Sequence, residues 1–110
     1  MIEDTLSKIE SKIQGADSIQ GDRKRELLQL LGTLKSEVAR LSETHGEQAE
    51  SIAGFTEISA HEATRETKNP ELLESALKGL KSSVEELEGS HPKLVQIVNS
   101  ISNTLSNLGI

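Results

Sequence analysis

Three histidines, His45, His61 and His91, are the residues of this 110-residue sequence best suited to metal binding or proton transfer. Glu57 and His61 stand one helical turn apart and could share a metal ion. Glu88-Gly89-Ser90-His91 has the letters of the Glu-x-x-His pattern that carboxylate-bridged di-metal bundles project into their cores. Gly89 and Pro92, however, place that pattern at a helix junction, where the i, i+3 geometry fails. His91, and His45 in a corresponding junction, are therefore read as capping or packing residues. Glu57 and His61 are read as a solvated or hydrogen-bonded pair. Cysteine is absent, no serine sits in a Gly-x-Ser-x-Gly elbow, and no phosphate-binding glycine loop occurs. The sequence assigns no catalytic, cofactor-binding or metal-ligating residue. A metal- or ligand-binding bundle, the alternative reading, would need Glu57 and His61 to converge with His45 or His91.

The stretch from Leu94 to Ile110 offers a different kind of surface, because it contains no Asp, Glu, Lys or Arg. Leu94, Ile97, Val98, Ile101, Leu105 and Leu108 fall on one stripe of a helix, with Val95 to one side. Gln96, Asn99, Asn103 and Asn107 fall on the opposite face, where a surface helix usually carries ions. Amides can be desolvated against another helix or subunit if they hydrogen-bond across the contact, whereas unpaired charges cannot. The other reading of the row is a solvent face that lacks charge. The uncharged back of this helix predicts that it is the central one, with neighbours on more than its apolar side.

Four or five helices must position these groups. Ile2, Leu6, Ile9 and Ile13 predict a short helix over 2–14, with Asp4 and Lys8 paired one turn apart. Gly15 to Gly21 reads as a break. Asp22 is a candidate N-cap for a helix over 22–43, whose Leu27, Leu31, Leu34, Val38 and Leu41 form a heptad seam of coiled-coil type, short for a free-standing coiled coil. Gly32 inside it could admit a close neighbour. Thr44 and Glu47 fit a capping box opening a helix over 47–67. The stripe of that helix is mostly small: Ala49, Ile52, Ala53, Thr56, Ser59, Ala60 and Ala63, with Phe55 and Ile58 to one side. Asn69-Pro70-Glu71 starts a helix over 70–88. Its seam is Leu73, Leu77, Leu80, Val84 and Leu87, and Glu74 and Lys78 are paired outside it. Gly89 stops this helix, and Ser90 or His91 caps the last one, 92–108.

Composition narrows the function classes. The hydrophobic fraction is 34% with a single aromatic, Phe55. Thin aliphatic stripes of this kind favour a helical bundle completed by a second chain, so a dimer through the final helix is expected. The net charge of -6 and the lack of stacking aromatics argue against nucleic acid. The basic run Arg23-Lys24-Arg25 is bracketed by Asp22 and Glu26 and reads as a solvated helix start. No membrane-spanning run and no secretory signal are expected, which points to the cytoplasm.

Two segments match at an offset of 46 positions. Leu34-Lys35-Ser36-Glu37-Val38-Ala39-Arg40-Leu41 aligns with Leu80-Lys81-Ser82-Ser83-Val84-Glu85-Glu86-Leu87, Leu27 and Leu31 with Leu73 and Leu77, and His45 with His91. Either an internal duplication or a shared packing grammar accounts for this. Both readings give two helix-turn-helix units, 22–66 and 70–108.

The segment Ser90-His91-Pro92-Lys93-Leu94 through Asn103-Thr104-Leu105-Ser106-Asn107-Leu108-Gly109-Ile110 resembles a small bacterial family, domain of unknown function 4404. The likeness is strongest over 73–110 and weaker over 1–44, and the 46–68 segment looks like a subfamily feature. It implies a compact helical protein and carries over no catalytic residues. The expectation is one all-α domain over 1–110, an antiparallel bundle. Its function is read as that of a non-enzymatic interaction or scaffold module that self-associates and needs no cofactor.

Overall fold

Apolar residues spaced three and four apart make amphipathic helices, and those helices stay folded only when their stripes meet. The computed structural model describes residues 2–109; Met1 and Ile110, the ends of the expected domain, lie outside the described residues. The helices are α1 (Ile2–Gln14), α2 (Gly21–Leu41), α3 (Gly46–Thr64), α4 (Pro70–Val84) and α5 (Pro92–Gly109), with a 3-10 turn at Glu85–Leu87. The fold class is all-α, as expected, with no strand among the described residues. Leu27, Leu31, Leu34, Val38 and Leu41 of α2 are buried, as are Leu73, Leu77, Leu80, Val84 and Leu87. They meet Leu94, Ile97, Val98, Ile101 and Leu105 of α5 in one core.

The central helix is α3, not α5. Helix α3 packs against all four others, whereas α5 packs against α2, α3, α4 and the 3-10 turn but not α1. Size explains this. Ala49, Ala53, Thr56, Ser59, Ala60 and Ala63 are all buried, and small side chains let neighbouring backbones approach from several directions. The closest fit is between α3 and α4, where the Phe55 ring fills the space over Gly79, and a Cβ built on Gly79 would overlap the ring. Gly32 has a different status from the one expected: a Cβ there meets nothing within 4 Å, so no close neighbour requires it.

The helix ends differ from expectation at several junctions. Helix α2 begins at Gly21 with Gln20 as N-cap, so Asp22 lies inside the first turn and pairs with Arg25. Helix α3 begins at Gly46 with His45 as N-cap. The Thr44 hydroxyl turns back to the Leu41 carbonyl and to His45 Nδ1 instead of capping α3, so no capping box forms. Helix α3 stops at Thr64 because Arg65 is extended and Lys68 Nζ reaches back to the Ala63 carbonyl. Helix α4 tightens into the 3-10 turn after Val84, and Gly89 does not adopt a left-handed conformation. The Asn69 cap forms as expected, its side chain accepting from the Leu72 amide at 3.2 Å. Glu74 and Lys78 share the right spacing but form no ion pair within 4 Å. Ile19, in the break between α1 and α2, is buried and plugs the end of the core.

Two substitutions separate the helical glycines Gly32 and Gly79. Gly32→Ala should stabilise the fold by about 0.5–1 kcal/mol, since it adds helix propensity at no steric cost. Gly79→Ala should destabilise it by about 1–2 kcal/mol by displacing Phe55, and should become neutral or stabilising in a Phe55→Ala background. Urea unfolding of the four variants reads both effects; equal responses at Gly32 and Gly79 would remove the Phe55 explanation.

Candidate functional site

The structure brings two of the three histidines together. His45 and His91 are the residues just before α3 and α5, and their rings meet edge to face with centroids 5.6 Å apart. Their surroundings match. The His45 amide donates to the Leu41 carbonyl at 2.8 Å and the His91 amide to the Leu87 carbonyl at 2.7 Å. Each Nδ1 is hydrogen-bonded to the preceding hydroxyl, Thr44 Oγ1 at 2.7 Å and Ser90 Oγ at 2.9 Å. The two rings thus pack two helix junctions together, the packing alternative of the role expected of them; the His45 side chain does not cap α3.

His61 lies elsewhere, about 24 Å further along α3 at 1.5 Å per residue. Lys12 Nζ of α1 donates to its Nδ1 at 3.0 Å, and its Nε2 is 3.9 Å from Glu62. Glu57 is exposed and lines a cleft between α1 and α3 with Ile2, Thr5, Glu50, Ala53 and Gly54. The convergence of Glu57 and His61 with His45 or His91 therefore does not occur, because α3 holds its two ends apart. Among the described residues no group of three His, Asp or Glu side chains is placed to hold a metal ion.

Several charged contacts were not legible in the sequence. Glu62 is buried on the α3 face beside the small-residue stripe, and Arg65 covers its carboxylate at 2.8 Å. The three-residue spacing of this pair was its only visible signal. Lys35 of α2 binds Glu10 of α1 at 2.9 Å, and Lys93 of α5 binds Glu37 of α2 at 3.4 Å. Both join residues far apart in the chain.

Two outward surfaces remain. On α5, Gln96, Asn99, Asn103 and Asn107 are all exposed, so the amide row faces away from this chain's own core. Asn103 stands at the rim of a cleft between α4 and α5 of about 260 Å³, lined by Glu74, Leu77, Lys78, Lys81, Ser102 and Ser106 as well. On the α3–α4 hairpin, Phe55, Ile58 and Leu72 are the large hydrophobic residues left exposed among the described residues, at 36%, 49% and 47%. Leu72 lies two turns from Gly79 on the same face of α4, and Ile58 one turn from Phe55 on α3, so the three form one strip along the hairpin. No helix among the described residues is long and apolar enough to cross a membrane.

Because the amides are exposed, Asn99→Ala and Asn103→Ala should each change stability by less than about 0.5 kcal/mol. Ile101→Asp, at a fully buried position of α5, should abolish cooperative unfolding. Thermal melts followed by circular dichroism distinguish these; a large loss at Asn99 or Asn103 would show that the row is structural.

The family described as Domain of unknown function (DUF4404) matches residues 27–110. The matched region starts within α2, runs through α3 and α4 and takes in α5, leaving α1 outside it. No curated protein and no solved structure matches the chain. With most of its length covered, including the Ser90-His91-Pro92 junction and the amide row, the chain belongs to the DUF4404 family.

Proposed function

We propose that this protein is a non-enzymatic interaction module of the bacterial cytoplasm that forms a homodimer. The observation that carries the reading is the strip of Phe55, Ile58 and Leu72 on the α3–α4 hairpin. Contiguous apolar side chains on a small chain mark an association surface, and each of these would contribute on the order of 1 kcal/mol on burial. Ser75 on α4 and Ser51 on α3 extend the strip with small uncharged groups. The dimer surface is thus assigned to this hairpin rather than to the final helix. The α5 row carries only amides outward, and hydrogen bonds between amides gain little over the bonds they make with water. A binding role also accords with polar groups that are spread over separate surfaces.

Size exclusion with light scattering at tens of micromolar tests the proposal. The expected mass is that of a dimer. Ile58→Asp with Leu72→Asp should yield a folded monomer, because both side chains are half exposed and their replacement leaves the core intact. A monomeric parent chain, or a double variant that remains dimeric, would sink the assignment.

A further inference from the structure

We propose that the cleft between α4 and α5 is a docking site for an acidic peptide segment of another protein, received by Lys78, Lys81 and Asn103. The inference concerns a different side of α4 from the hairpin strip and does not depend on dimer formation.

The reasoning starts from the offset of 46 positions. It aligns α2 with α4 and α3 with α5, and the packing obeys the same exchange. Helix α2 packs on α5 and α4 on α3; α2 packs on α3 and α4 on α5; α3 meets α5, while α2 and α4 do not touch. His45 and His91, equivalent under the offset, meet each other where an approximate two-fold axis would pass. The bundle is therefore arranged as two similarly packed helix-turn-helix units, with α1 added.

Helix α1 breaks that symmetry. It lies on α2 and α3, and the equivalent position on α4 and α5 carries no helix of this chain. The seven residues lining the α4–α5 cleft, from Glu74 to Ser106, correspond to Leu28, Leu31, Gly32, Lys35, Thr56, Glu57 and Ala60. Several of these flank α1. Lys35 binds its Glu10, Leu28 lines a cleft with Glu10 and Gln14, and Glu57 lines one with Ile2 and Thr5. Likewise Asn99, Asn103 and Asn107 stand where α3 has Ala53, Glu57 and His61, the row against α1. The amide row is thus the counterpart of a helix-binding face.

The chemistry of the second cleft has changed with its occupant. Leu28 is replaced by Glu74, Gly32 by Lys78, Ala53 by Asn99 and Ala60 by Ser106, so an apolar stripe like that of α1 no longer fits. What is kept is the lysine: Lys81 stands where Lys35 holds a carboxylate at 2.9 Å, and Lys78 adds a second ammonium. Among the described residues neither has an ion-pair partner. At the floor of the cleft, the Ser102 hydroxyl is buried and makes no hydrogen bond, whereas its counterpart Thr56 donates to the Ile52 carbonyl at 2.6 Å. The two ammonium groups, the Asn103 amide and the Ser106 hydroxyl outweigh the one carboxylate of the cleft, Glu74, and suit carboxylates laid along it by a polar, acidic segment.

Fluorescence anisotropy of a labelled octaglutamate peptide against the full chain tests the proposal. Saturable binding is expected, weakened about tenfold in the Lys78→Glu, Lys81→Glu double variant and about threefold in Asn103→Ala. The Lys8→Glu, Arg23→Glu variant makes the same change in net charge elsewhere and should alter binding by less than about twofold. Should charge reversal unfold the chain, the Lys78→Gln, Lys81→Gln variant carries the test. Equal losses in the two charge-reversed variants, no saturation up to millimolar peptide, or displacement by inorganic phosphate at matched ionic strength would each overturn the assignment.

Discussion

The close approach of α3 to its neighbours is the constraint on which the rest of this bundle depends. A helix that touches four others cannot present large side chains on every contacting side. Ala49, Ala53, Ala60 and Ala63 bring backbones near, and Ile52 supplies the bulk. The same closeness has polar consequences. Thr56 satisfies its hydroxyl within its own helix at the Ile52 carbonyl, while the Ser59 hydroxyl, equally buried, has no partner. Leaving such a group unpaired costs about 1–3 kcal/mol. Glu62 is tolerated on this helix only because Arg65 covers its carboxylate.

Around α3 the chain is arranged as two similar halves joined at their histidine junctions. The edge-to-face contact of His45 and His91 ties the start of α3 to the start of α5. Helix α1 then covers one flank of this arrangement, held by the burial of Leu6, Ile9 and Ile13 and by the Lys35–Glu10 and Lys12–His61 contacts. The opposite flank remains open. As a result the protein presents two unlike surfaces, an apolar strip on the α3–α4 hairpin and a lysine- and amide-lined cleft on α4–α5. Surfaces of different chemistry on different sides of one small bundle suit a module that joins partners.

Much of the architecture was readable before any coordinates, because it follows from local rules. Heptad spacing in 27–41 and 73–87 marks the buried faces of α2 and α4, and Asn69-Pro70-Glu71 opens a helix through a side-chain cap and a fixed proline φ. The apolar stripe on α5 was equally plain, whereas the small-residue stripe on α3 was a weaker signal. The caps that failed, at Asp22 and Thr44, did so because other contacts at these junctions took their place. Lys24 anchors the start of α2 to the Gln14 carbonyl, and Thr44 turns toward Leu41 and His45.

By itself the sequence determined the fold class and the identity of the buried faces. It also held the 46-residue echo. Only the tertiary structure decided which helix is central, which glycine is required by a neighbour, and which polar residues face outward. It turned the echo into an approximate two-fold with one flank covered and one open. The physical reason is that periodicity encodes which side of a helix is apolar but not which helix will cover it. Pairings such as Phe55 with Gly79, Lys35 with Glu10 and His45 with His91 join residues far apart in the chain, and they exist only once the bundle has closed.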